Sequence, residues 1–141
     1  MQATNDYLAL IGRVLLSLIY VWSGYGALTG IEGATKYIAA QGLPILPPTV
    51  QLVLVIIMEF GGGLLILLGL WHRLGVILLI IHTLLTAVVA HHFWTMAGGA
   101  RVGNAINFYK NLSLVGGLLF LYLQGPGRYS LDRWMAKGSA S

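Results

Sequence analysis

The sequence predicts an all-α integral membrane protein: a four-helix bundle with a short interfacial helix between helices one and two. Of its 141 residues, 57% are hydrophobic and only 9% are charged, whereas soluble domains carry about 25% charged residues. Four apolar segments are each long enough to cross a hydrocarbon core of about 30 Å as a helix. Because no polar block interrupts them, we expect residues 1–141 to form a single transmembrane domain.

The connections between the predicted spans differ in character. Residues 30–42 place Ile31, Ala34, Tyr37 and Ile38 on one side, which predicts a short helix lying in the membrane interface. Only three residues separate the second and third spans, so these helices form a tight hairpin. A Gly-rich loop is predicted before the fourth span. The predicted spans are residues 7–28, 49–70, 74–93 and 107–124, and the Gly-rich loop is 94–105.

The distribution of basic residues predicts the orientation and the surroundings of the chain. An even number of spans puts both termini on one side, and that side collects more Lys and Arg than the other. The positive-inside tendency therefore predicts a multi-pass protein with both termini in the cytoplasm. The chain has a net charge of +4, but no run of basic residues is long enough to bind nucleic acid. The expected environment is therefore the lipid bilayer.

The absence of cysteine excludes several kinds of redox site. Without thiolates the chain cannot form disulfides, bind an iron–sulfur cluster or hold a thiolate metal site. All four histidines lie on the third span or at its edges, whereas two axial haem ligands normally come from different helices. His91 and His92 are adjacent, so their side chains diverge by about 100° on a helix. We therefore expect no haem, no iron–sulfur cluster and no metal centre.

Glu59 is the most informative single residue, because it lies near the middle of the second predicted span. A charge at the bilayer midplane costs about 2.5 to 3.5 kcal/mol on insertion scales, so it needs a partner inside the bundle. Counting the helical rise from the span ends places His82 at nearly the same depth. Arg13 is the predicted salt-bridge partner of Glu59, with Lys110 as the alternative.

Helical spacing gathers the polar residues of each span onto stripes that lipid cannot satisfy. We expect these stripes to face inward and to form a polar seam that serves as a ligand-binding site, with Trp22 and Tyr25 lining an apolar slot beside it. The simpler interpretation is that the seam only fixes the register of the helices. The predicted ligand-binding residues are Arg13, Tyr20, Glu59, His82, Lys110 and Asn111.

Over nearly its whole length the chain resembles the DoxX family of small four-helix bacterial inner-membrane proteins. The resemblance lies in RVLLSLIYVWSGYGALTG, MEFGGGLLILLGL, NFYKNLSL and the Gly-Pro-Gly turn of GPGRYSLDR. Members often have Lys after the S-G-x-G of helix one, whereas this chain has Ala27. The family name refers to a subunit of a thiosulfate:quinone oxidoreductase, and other members are associated with aromatic compounds or oxidative stress. The resemblance implies the fold and the inner-membrane location.

Three functions are compatible with these features, and no residue is assigned as catalytic. The first is a redox-associated subunit that binds a quinone-like or aromatic molecule in the seam and exchanges electrons with a partner protein. The second is a proton-coupled transporter that works as a homo-oligomer through Glu59. The third is a non-catalytic membrane anchor that holds a partner protein through the basic C-terminal tail.

Overall fold

The computed structural model describes residues 2–41, 43 and 45–138, and this part of the chain is almost entirely helical. Four of the described helical stretches are long and apolar enough to cross a membrane: Asn5–Thr29, Pro48–Leu68, His72–Thr95 and Gly98–Gln124. The predicted fold of four spanning helices is confirmed. The helices are α1 (Gln2–Thr29), α2 (Ile31–Gln41), α3 (Pro48–Val55), α4 (Gly62–Leu68), α5 (His72–Ala90), α6 (Gly98–Gln124) and α7 (Leu131–Gly138).

The short helix predicted between the first two spans is present as α2. The Gly-rich loop, by contrast, is shorter than predicted, because α6 already begins at Gly98. The first turns of α6 are held by Asn104. Its side chain donates to the Ala100 carbonyl at 3.0 Å, and its Oδ1 lies 3.0 Å from His91 Nδ1. The contact with His91 and the side-chain bond within α6 together offset the low helix propensity of glycine.

A π-helical segment, Ile56–Gly61, joins α3 to α4 in the middle of the second span and carries Glu59. Such wide turns are rare, occur mostly as single turns inside α-helices, and are frequent at functional sites. The backbone of α1 comes very close to this segment: a Cβ built on Gly24 would lie 2.6 Å from Phe60 Cβ and 2.7 Å from Phe60 Cα. The absence of a side chain at Gly24 therefore allows α1 to pack against the π turn.

The hydrophobic core lies between α1, α4, α5 and α6. Its buried members come from all four helices and are Tyr20, Ile66, Val76, Leu79, Leu118 and Leu121. Tyr20 is 3% exposed, and its hydroxyl lies 2.8 Å from Thr83 Oγ1. A polar link between α1 and α5 is thus buried inside an otherwise apolar core.

The segment after α6 folds back onto the end of the bundle where α1 begins. Arg128 Nη1 lies 3.6 Å from Asp6 Oδ2, so the start of α1 and the segment after the fourth span share one end of the bundle. Asp132 N–H donates to the Gly69 carbonyl at 3.0 Å, which holds the start of α7 against the α4–α5 turn. The assignment of this end to the cytoplasm stays a prediction.

Candidate functional site

A cavity of about 420 Å³ lies between α1, α2, the second span and α5. Its walls are largely apolar, and its polar lining side chains are Ser23, Tyr37, Gln41, Gln51, Glu59, His82, Thr86 and His91. Helix α2 covers it from one side through Ala34, Tyr37 and Ile38, which belong to the apolar face predicted from the sequence. Helix α2 therefore contributes a wall of the cavity.

Glu59 and His82 face each other in this cavity. Glu59 Oε1 lies 3.7 Å from His82 Nε2, and the two side chains are only 13% and 11% exposed. A separation of 3.7 Å is longer than a hydrogen bond. His82 Nε2 is also 3.5 Å from Thr86 Oγ1, one turn further along α5. The carboxyl group and the imidazole thus form a loosely joined pair that can still accept partners from the cavity.

The far end of the cavity is held in shape by Gln51. Its amide Oε1 accepts from the Leu43 N–H at 3.0 Å, while Nε2 donates to the carbonyls of Leu43 and Leu46 at 2.7 and 2.8 Å. The hydrogen-bonding capacity of this amide is directed at the backbone between α2 and α3. Gln51 therefore stabilises the cavity wall.

The expected salt bridge between Arg13 and Glu59 is wrong. Arg13 is 3% exposed, but its guanidinium donates to the carbonyl oxygens of Pro126 and Tyr129 in the segment after α6. Side chains on a helix lean toward its N-terminus, so Arg13 points to the end of the bundle, away from mid-depth. The partner of Glu59 is His82, the residue that the depth count had placed at the same level.

Lys110 and Asn111 do not line the cavity either. Lys110 is exposed on α6 and lies in a separate outer groove with Phe93, Arg101 and Tyr109. Asn111 is half-buried on the same helix. Because Lys110 is six residues, or about 9 Å, from Asn104 at the level of His91, its long side chain can reach the membrane boundary. An inward position was therefore not required to satisfy its charge.

The aromatic residues expected beside the seam also lie elsewhere. Trp22 is 80% exposed and Tyr25 is 55% exposed, and both face outward from α1. Tyr20 is buried in the core with Thr83. The seam is thus divided into a cavity with Glu59 and His82, a core contact at Tyr20 and a cluster around Arg13 at the end of the bundle.

Comparison with known proteins agrees with this architecture. Residues 8–92 match the DoxX family. The chain is 40% identical to inner membrane protein YphA of Escherichia coli (strain K12), across 93% of this chain and 92% of the relative. It is 39% identical to inner membrane protein YqjF of the same strain, across 97% and 98%. No solved structure matches. With four membrane-crossing helices and relatives matched over nearly their full length, the chain belongs to the DoxX family as a multi-pass inner-membrane protein.

Proposed function

We propose that the cavity around Glu59 and His82 binds a small quinone-like or aromatic molecule, and that the protein acts as a redox-associated membrane subunit. The observation that carries this proposal is the placement of an acid and an imidazole, 3.7 Å apart, in a largely apolar cavity within the membrane-spanning region. Small-molecule sites are typically concave and apolar, with a few polar groups that fix the orientation of the ligand.

The size and chemistry of the cavity fit a ligand of this class. Its volume of about 420 Å³ lies within the range of about 300 to 1,000 Å³ that is usual for ligand sites. Leu52, Val55 and Met58 supply an apolar surface for a ring. Glu59 and His82 supply groups that accept or release a proton, which is the requirement at an oxygen that changes between carbonyl and hydroxyl.

A redox role for this site also needs a route for electrons. A quinone and its hydroquinone differ by two electrons and two protons. Because the chain has no cysteine, it offers no thiolate ligands for an iron–sulfur cluster. We therefore propose that a partner protein exchanges the electrons with the bound ligand, while Glu59 and His82 exchange the protons.

Ligand-induced stabilisation tests this proposal. A short-chain benzoquinone at about 100 times its Kd should raise the free energy of unfolding by about 2.7 kcal/mol, measured on purified protein in detergent. Ala34→Phe puts a ring into the cavity wall and should abolish the effect. Ala39→Phe is the matched control, because Ala39 is an exposed residue of the same helix and does not line the cavity.

Two results of that experiment would contradict the proposal. The first is that quinones and related aromatic molecules fail to stabilise the unmodified protein. The second is that Ala34→Phe responds as strongly as Ala39→Phe, because binding would then take place outside the cavity.

The pairing of Glu59 with His82 also favours a second candidate, a proton-coupled transporter. An arginine beside Glu59 would fix a permanent positive charge there, whereas no Lys or Arg is among the described residues that line the cavity, and a membrane carboxyl group without such a partner can alternate between a proton and a cationic substrate. Protein in vesicles with an internal pH dye should then show proton flux on addition of a cationic aromatic amine. Flux that is absent, or unchanged in Glu59→Gln, would argue against transport.

A further inference from the structure

We infer, on the premise that the cavity is the ligand site proposed above, that its ligand presents hydroxyl donors to Glu59. The ligand class is a dihydroxy aromatic such as a hydroquinone, in preference to the oxidised quinone or to an anion. Two features of the cavity lead to this assignment: the lack of Lys and Arg among its described lining residues, and the unfilled acceptor positions of the Glu59 carboxyl group.

Among the described residues, the cavity is lined by a carboxyl group and by no permanent positive charge. The ionisable side chains of this described lining are Glu59, Tyr37, His82 and His91, and it includes neither Lys nor Arg. The two cations that the sequence placed beside Glu59 lie elsewhere, since Arg13 binds backbone carbonyls and Lys110 lies in the outer groove. An anionic ligand would therefore enter a poorly solvated site that already holds an acid, which is unfavourable for both charges.

The carboxyl group of Glu59 has unused acceptor capacity. Among the residues that the structure describes, none donates a hydrogen bond to it, and the nearest basic atom, His82 Nε2, is 3.7 Å away. An ionised carboxyl group has about four acceptor positions and no donor. A ligand O–H fills one of these positions when Glu59 is ionised and can pass its proton to the carboxyl group, whereas a quinone carbonyl has no hydrogen to donate to that group.

Gln41, on the α2 wall, adds a second unfilled acceptor. Its side-chain Oε1 is buried and has no hydrogen-bond partner within the described ranges. The hydroxyl groups of Ser23 and Tyr37 both donate and accept, so they do not discriminate between the two oxidation states of a ligand. A second ligand hydroxyl can donate to Gln41 Oε1, but the Gln41 amide also carries N–H donors, so the preference for the hydroquinone rests on Glu59.

Calorimetric titration of the purified full-length protein with four probes tests this assignment. The probes are an alkylated 1,4-benzoquinone, its hydroquinone kept reduced without oxygen, the dimethyl ether of that hydroquinone, and benzoate. The chain has no cysteine, so the quinone cannot form thioether adducts. We expect the hydroquinone to bind tenfold or more tightly than the quinone and the ether, because a hydrogen bond to a charged group is worth about this much. Benzoate should not bind.

Variants then locate the preference. Glu59→Gln replaces a pure acceptor with an amide that both donates and accepts, so the preference for the hydroquinone should fall to within about threefold. Gln124→Leu, at the exposed end of α6, is the control and should keep the full preference.

The outcomes separate this inference from the function on which it rests. Equal binding of hydroquinone and quinone would overturn the inference and leave the proposed function standing. No binding of either would overturn the proposed function. Tighter binding by the ether or by benzoate than by the hydroquinone, or an undiminished preference in Glu59→Gln, would overturn the role of Glu59.

Discussion

The carboxyl group of Asp132 accepts a hydrogen bond at 3.0 Å from the backbone N–H of His72, the first residue of α5. Its second oxygen accepts from the N–H of Trp71 at 2.9 Å. Helix N-termini leave backbone donors without intrahelical partners, and acids are the favoured groups there. The segment after the last span therefore caps the start of the third span, 60 residues earlier in the chain.

We expect Asp132→Ala to lower the free energy of unfolding by about 1 kcal/mol, because loss of an N-terminal cap typically costs that much. The measurement is unfolding of the purified protein in mixed detergent micelles, followed by circular dichroism. Arg133→Ala, at an exposed neighbouring position, is the control. Equal stability of the two variants would contradict the capping role.

Arg13→Lys should destabilise the protein and leave ligand binding intact. The guanidinium donates to two carbonyls at once, those of Pro126 and Tyr129, and lysine does not reproduce this planar geometry. We expect a loss of about 1 to 2 kcal/mol in unfolding free energy and a change in ligand affinity smaller than twofold. A large loss of affinity at unchanged stability would instead assign Arg13 to the ligand site.

Helical periodicity and hydropathy predicted the four spans, because these depend on the composition of each segment alone. The depth count also placed Glu59 and His82 at one level, since rise per residue is nearly constant. The partner of Arg13 was not predictable in this way. It depends on carbonyl groups more than a hundred residues away in the chain, which become available only when the segment after α6 folds back.

The π turn at Glu59 has no comparable signal in the sequence. Apart from Glu59, residues 56–61 are as apolar as their neighbours, and a hydropathy profile does not show that a helical turn contains one extra residue. The feature that accompanies the π turn is the close packing of the Phe60 backbone against Gly24 of α1. A contact between two helices is not visible in the sequence of either one. The cavity walls were partly predictable, because the apolar face of α2 follows from the spacing of Ala34, Tyr37 and Ile38.

The buried hydroxyl pair Tyr20 and Thr83 provides a test of the core. Tyr20→Phe and Thr83→Val each remove one side of a contact of 2.8 Å between α1 and α5. Polar contacts between membrane helices contribute about 0.6 kcal/mol on average, so the coupling energy from the double-mutant cycle should be close to that value. Strictly additive effects would show that the two hydroxyl groups do not interact.

Gly24→Ala should impair both stability and ligand binding, because the new methyl group would lie 2.6 Å from Phe60 Cβ. Either α1 or the π segment must move, and overpacking of this kind costs about 1 to 3 kcal/mol. Since Glu59 is the neighbour of Phe60 in that segment, hydroquinone affinity should also fall. Gly26→Ala is the matched control: a Cβ there meets open space within 4 Å, so stability should be equal or higher by up to about 1 kcal/mol. If both variants bind the ligand equally well, the packing of α1 against the π turn does not control the position of Glu59.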